Sequence, residues 1–136
     1  MKDNNCIFCK IANGEIPSSC LYEDEKVRVI LDISPASKGH ALILPKEHYA
    51  NLYEIDEDML KHVILIAKKM AVKMKEALGV EGINILQNNG EIAGQTVFHY
   101  HMHIVPRYND DNVNIKWEPG ELSEEKKAEL IKKLTL

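Results

Sequence analysis

Residues 97–105 read Val-Phe-His-Tyr-His-Met-His-Ile-Val, alternating residue by residue between two kinds of side chain. Successive side chains of a β-strand point to opposite faces. The segment therefore sets His99, His101 and His103 in one row and Tyr100, Met102 and Ile104 in the other. A rise of about 3.3 Å per residue spaces neighbouring imidazoles by about 6.6–7 Å. The apolar row calls for a covered sheet face, and Pro106 is expected to end the strand.

The other segments read as the rest of such a sheet and its cover. Residues 21–23 and 26–31 predict two strands about an Asp24-Glu25 turn, with Val27, Val29 and Leu31 alternating against Lys26, Arg28 and Ile30. Residues 40–44 and 83–86 predict two more. Residues 6–12 predict a turn or two of helix, stopped at Asn13-Gly14. Asp56 is a good N-cap and Gly79 a good stop for a long helix ending at Leu78. Its apolar stripe runs through Met59, Leu60, Val63, Ile64, Ala67, Met70, Ala71, Met74, Ala77 and Leu78, whereas Leu65 and Ile66 fall outside it. The methionines share that stripe with Val and Ile, so they read as core. His62, beside Lys61, reads as a surface residue. Ser123 predicts the cap of a last helix, acidic at its start and basic at its end. Trp117 is the one large anchor of the polar stretch before it. Strands interrupted by one long helix predict an α+β fold with an antiparallel sheet.

A chain of 136 residues is one domain's worth. Its 17 Lys and Arg against 21 Asp and Glu leave a net charge of −4, which argues against a nucleic-acid binder needing a basic stripe. Apolar runs such as residues 63–67 are far shorter than the roughly 20 residues that cross a bilayer. Residues 1–5 lead into no apolar signal core, so a cytoplasmic protein with no membrane association is expected. Three cysteines are too few and too odd for a disulfide framework. Cys6 and Cys9 form a C-x-x-C pair, either a metal half-site or a redox couple. Cys20 reads as a buried small apolar residue.

Three imidazoles in one row suit several chemistries: a run of satisfied or exposed histidines, a three-histidine catalytic zinc site, or one imidazole acting as a nucleophile on phosphorus. The last needs a neutral ring, its other nitrogen held by an acceptor, and donors for the phosphate charge. Gln95, Thr96 and the backbone N–H groups around Gly94 could supply those donors.

The stretch His99-Tyr100-His101-Met102-His103-Ile104-Val105 resembles the His-φ-His-φ-His-φ-φ signature of the histidine triad (HIT) superfamily of nucleotide hydrolases and transferases. Cys6-Ile7-Phe8-Cys9-Lys10-Ile11, Gly14-Glu15-Ile16-Pro17, Asp32-Ile33-Ser34-Pro35, Gly39-His40 and Leu44-Pro45-Lys46-Glu47-His48 extend the resemblance, which runs from Cys6 to Arg107. It implies a HIT domain over residues 1–107, with an N-terminal zinc knuckle. Residues 108–136 are then a tail and helix packing on the same domain. The N-terminal half is similar to purine-nucleoside phosphoramidases. Ala93-Gly94-Gln95-Thr96-Val97 and Val105-Pro106-Arg107 are similar to dinucleoside polyphosphate hydrolases.

By this resemblance His101 is the nucleophile that attacks the α-phosphorus and forms a nucleotidyl-histidine. His103 contacts phosphate oxygens and is a candidate for handling the leaving-group proton. Asn88, Gly94, Gln95 and Thr96 line the phosphate, with Gln95 and Thr96 donating to the transferring group. Asp32 accepts the ribose hydroxyls, and Ile33 packs on the base of a purine nucleotide. His40 either sits beside the catalytic imidazole or partners a backbone carbonyl. Cys6, Cys9, His48 and His99 hold a structural Zn2+, and two thiolates with two neutral imidazoles make a closed tetrahedral set. The resemblance also implies a homodimer with the sheet extended across it. The reading from another class is a nucleotide-binding sensor or interaction protein with little turnover. A catalytic zinc held by His99, His101 and His103 makes poor use of the cysteines and His48.

Overall fold

The computed structural model describes residues 2–136, so the first residue of the expected 1–107 unit lies outside them. Helix α1 (Ile7–Ala12) precedes strands β1 (Cys20–Glu23), β2 (Val27–Leu31) and β3 (Ala41–Pro45). Helix α2 (Glu57–Leu78), strands β4 (Gly82–Leu86) and β5 (Met102–Arg107), and helix α3 (Glu124–Leu134) follow. The strands form one five-stranded sheet in the order β1-β2-β3-β5-β4, every pair antiparallel. This is the predicted α+β architecture. Among the described residues no helix is long and apolar enough to cross a membrane.

Both ends of α2 follow from local chemistry. The Asp56 carboxylate accepts the Met59 N–H at 2.7 Å, and Gly79 closes the helix at φ 66°, in the left-handed region. Met59, Val63, Ile66, Ala67 and Met74 pack on one sheet face against Val27, Val29, Ala41, Ile43, Tyr100, Met102 and Ile104. Ile66 thus belongs to the core, contrary to the stripe read from spacing, and Ile64 is half exposed instead. The opposite sheet face is covered too. Ala12, Ile30, Leu42 and Leu44 form a second cluster, with Phe8 and Ile11 of α1 against it. That cover is why Ile30 is buried and Leu31 is not, the reverse of the predicted alternation.

Strand β5 begins at Met102, not at Val97, and Pro106 lies inside it. The backbone groups of the preceding segment are taken by other partners. The Tyr100 N–H donates to Tyr49 O at 2.6 Å, Val97 O accepts from the Gln95 amide, and His99 O from His101. Pairing of β3 with β5 stops at Ala41 opposite Ile104, so Pro106 has no ladder partner on that side, and its carbonyl accepts the Ser37 hydroxyl at 2.6 Å. Pro45, beyond the other end of the same pairing, offers its carbonyl to His99 at 2.9 Å. Two prolines in central strands are tolerated because each sits where a ladder has run out.

Three other expectations are corrected. Cys20 is exposed on edge strand β1. Trp117 is 82% exposed and is no anchor within this chain, and no residue of α3 is buried. His62 is half-buried, with Nε2 2.7 Å from Asp24 Oδ2.

Asp24 also accepts the N–H groups of Lys26 and Val27 at 2.8 and 2.9 Å and the Tyr22 hydroxyl at 2.9 Å. Burial alone would raise its carboxyl, but these donors and His62 more than offset that and hold it at about 2. A depressed carboxyl stabilises the fold above its ordinary value of 3.8, and the effect is lost as pH falls through about 2. Denaturant midpoints of the wild type should therefore fall across that window by the equivalent of roughly 1 kcal/mol, allowing for solvent screening. D24N should lack this part of the pH dependence; an unchanged profile would contradict the assignment.

Candidate active site

The short helix α1 starts with Cys6 as its N-cap, whose sulfur accepts the Cys9 N–H at 3.3 Å. Both sulfurs then face two imidazoles brought in from beyond β3 and ahead of β5. Cys6 Sγ lies 3.3 Å from His99 Nδ1, and Cys9 Sγ lies 3.4 Å from both His48 Nδ1 and His99 Nδ1. All four donor atoms fall within 4.8 Å of one another. A tetrahedral zinc with bonds of about 2.3 Å to sulfur and 2.0–2.1 Å to nitrogen has sulfur–nitrogen edges of about 3.6 Å. The His99 Nε2–H donates to Pro45 O, so Nδ1 presents a lone pair to the sulfurs. Burial pushes the His99 imidazole down to about 4, which keeps it neutral. The donor set, spacing and tautomer all fit a metal ion, and the four residues are those expected.

His101, buried at 7% exposure, stands beside this cluster. Its Nδ1 lies 2.7 Å from the His99 carbonyl, which can only accept, so Nδ1 carries the proton and Nε2 is bare. Burial lowers its basicity, against the opposing effects of that carbonyl and Asp32. The ring meets Phe8, perpendicular at 5.0 Å between centroids, and His103, also at 5.0 Å.

Backbone chemistry fixes the next two tautomers as well. The Ala36 N–H donates to His40 Nδ1 at 2.9 Å, so His40 carries its proton on Nε2. That Nε2–H donates to His103 Nδ1 at 2.9 Å, leaving the His103 proton on Nε2. Burial lowers His40 and takes His103 to about 4, so both are neutral rings. Asp32 Oδ2 lies 3.6 Å from His40 Nε2, and its Oδ1 accepts the Ser34 N–H at 2.9 Å. His40 thus neighbours the histidine row, with its two ring nitrogens on the Ala36 N–H and His103 Nδ1. Asp32, His40 and His103 also converge within 4.8 Å. Here a metal would have to displace the Nε2 proton of His40, whose other nitrogen already accepts a backbone N–H. Only the cysteine cluster has the tautomers a metal requires.

The loop between β4 and β5 carries the remaining expected residues. Gly94 has φ +98°, in the region that favours glycine, while a Cβ there would only touch the end of the Asn88 side chain at 3.4 Å. Gln95 corrects an expectation. Its side chain is 1% exposed; its amide nitrogen donates to Ala50 O at 2.7 Å and Val97 O at 3.1 Å, and its oxygen accepts the Gly90 N–H at 2.9 Å. Both amide hydrogens are used, so the side chain has no donor left for a phosphate and serves as the loop's internal brace. Asn88 is half-buried, Thr96 is exposed, and Ile33 is 96% exposed. Sequence reasoning missed Phe8 as a neighbour of His101, although its place between the two cysteines was a readable signal.

The HIT domain profile matches residues 13–110. The chain is 42% identical over 122 residues to the adenosine 5'-monophosphoramidase hnt1 of Schizosaccharomyces pombe, covering 89% of each protein. The crystal structure of SMU.412c from Streptococcus mutans UA159 superposes with a TM-score of 0.92 at 42% identity, over 98% of this chain and 85% of that one. A Zn-bound histidine triad family protein from Mycobacterium smegmatis superposes with a TM-score of 0.77 at 38% identity, over 85% and 84% of the two chains. With its triad row, its sheet and these relatives, the chain belongs to the HIT domain family.

Proposed function

We propose that the protein is a nucleotide hydrolase that cleaves nucleoside phosphoramidates or dinucleoside polyphosphates at the α-phosphate, through a nucleotidyl-His101 intermediate. The observation that carries this reading is the pair of opposed tautomers: His101 with a bare Nε2 and His103 with a protonated one. Attack by His101 Nε2 forms an N–P bond as the bond from phosphorus to the leaving group breaks. His103 Nε2–H bonds the phosphate oxygens and the departing nitrogen or oxygen, which takes its proton from solvent water, because a neutral imidazole that gave up its one N–H would be left as imidazolate. Water then attacks the same phosphorus and loses a proton to bulk solvent, the N–P bond breaks, and the electron pair returns to Nε2 with release of a nucleoside monophosphate. Asp32 accepts the ribose hydroxyls, Ile33 covers the purine, and Asn88 and Thr96 bear the phosphate charge beside Gly94, whose own N–H and that of Gln95 are already held by Glu91 O at 2.9 Å and Gly90 O at 3.1 Å. A neutral nucleophile suits this step because it brings no negative charge against an anionic phosphate.

Zinc bound by Cys6, Cys9, His48 and His99 supplies a closed, four-ligand cross-link and no open position for substrate. In a reducing cytoplasm the two cysteines stay available as ligands. The test is a substrate panel: adenosine phosphoramidate, diadenosine triphosphate and diadenosine tetraphosphate compared by kcat/KM. Turnover of at least one to a nucleoside monophosphate is expected. Tight nucleotide binding without turnover would make the protein a sensor instead.

The same reading includes a homodimer of about 31 kDa, twice the 15.5 kDa chain. Its support is the outward face of α2, where Ile64, Leu65 and Val72 are half exposed, together with the unpaired edge of β4. L65E should shift sedimentation toward the monomer, whereas a charge at buried Ile66 would disrupt the core instead. A wild-type chain that sediments as a monomer at micromolar concentration would overturn the dimer.

A further inference from the structure

The catalytic imidazole is held from two directions, and both holds originate in the metal cluster. Its Nδ1–H donates at 2.7 Å to the carbonyl of His99, a residue of that cluster. Its ring faces Phe8, which lies in the chain between Cys6 and Cys9 and meets His101 at 5.0 Å and His99 at 6.2 Å. Phe8 sits on α1, a helix of six residues that is too short to persist by its own hydrogen bonds. Besides the Cys6–Cys9–His48–His99 cluster, α1 is fastened by the apolar patch of its Phe8, Ile11 and Ala12 on Ile30, Leu42 and Leu44 and by the Asn13 amide on Lys46 O at 3.0 Å.

We propose that Phe8 is a positioning residue that carries the state of the Cys6–Cys9–His48–His99 cluster to the ring of His101. The inference rests on the reading of His101 as the nucleophile. A hydrogen bond at Nδ1 alone leaves the imidazole free to swing about that bond. Contact with the perpendicular Phe8 ring and with His103, each 5.0 Å away between centroids, limits the swing and aims Nε2. A metal that holds α1 against the His99 segment therefore also holds the wall against which the nucleophile is aligned. The cluster's influence on catalysis is then geometric: it changes how often His101 points at phosphorus, with little effect on how tightly nucleotide binds.

The test uses the full-length zinc-loaded protein and F8A, F8Y and the wild type, each checked for bound zinc. Two readouts are taken: steady-state kcat and KM on adenosine phosphoramidate, and the His101 ring nitrogens by long-range 1H–15N NMR without substrate. F8A should keep its zinc and its KM within about threefold, lose about 10- to 100-fold in kcat, and show a His101 ring exchanging between orientations or tautomers. F8Y should recover most of the kcat and the single tautomer. Wild type stripped of zinc by chelation should give the same His101 spectrum as F8A. A rise in KM with kcat intact, or a His101 spectrum unmoved in F8A and in the stripped protein, would overturn the proposal. If the wild type does not turn over any substrate, the function assigned to His101 fails, and the NMR comparison still decides whether Phe8 fixes its ring.

Discussion

Replacing His101 with Gly is expected to lower hydrolysis by a factor of about 10^4 or more while AMP binding stays within about threefold. The size of the effect follows from the lack of a substitute. His99 presents Nδ1 to the two cysteine sulfurs and commits Nε2 to Pro45 O. His103 has Nδ1 occupied by His40 and carries its proton on Nε2, so it has no free lone pair to attack with. Only His101 offers a bare nitrogen toward the site. Equilibrium binding of AMP, set beside single-turnover rates, separates the loss of a nucleophile from the loss of a pocket. A variant that hydrolyses at the wild-type rate would show that water attacks phosphorus directly.

Replacing Cys6 and Cys9 with Ser is expected to abolish zinc binding, with the wild type expected to carry about one zinc per chain. The melting temperature should drop by about 10 °C, the equivalent of a few kcal/mol for a chain of this size. Some activity should remain. The larger core, built from α2 and the sheet face of Val27, Val29, Ala41, Ile43, Met102 and Ile104, does not include α1, so the domain persists when α1 loosens. Metal analysis and thermal unfolding read the outcome, and a double variant that retains full zinc would sink the assignment.

Elements specified by local chemistry were legible before any coordinates. The Asp56 cap, the Gly79 stop and the apolar stripe place α2, and the alternation through Tyr100, Met102 and Ile104 sets their face correctly. What escaped is non-local. The start of β5 depends on carbonyls being claimed by Gln95 and His101, and the burial of Ile30 depends on α1 folding over the second sheet face. Periodicity cannot show either. The site divides the same way. Residue type alone marks Cys6 and Cys9 as a metal half-site or a redox couple, and the full set of Cys6, Cys9, His48 and His99 is what the resemblance to zinc-binding family members implies. The role of Gln95 was misread because an amide suits a phosphate and a backbone brace equally well, and only its burial among Ala50, Val97 and Gly90 decides between them. His40 was left between two readings until the Ala36 N–H fixed its tautomer.

The central claim is a covalent bond between His101 Nε2 and the α-phosphorus, and the most direct measurement is to trap it. Wild-type protein is mixed with a substrate labelled at the α-phosphate and quenched on the millisecond scale during turnover. The account predicts label on the protein through an acid-labile, base-stable linkage, mapped to His101 and absent from H101G. Turnover that releases labelled nucleoside monophosphate with no label on the protein at any time would contradict it.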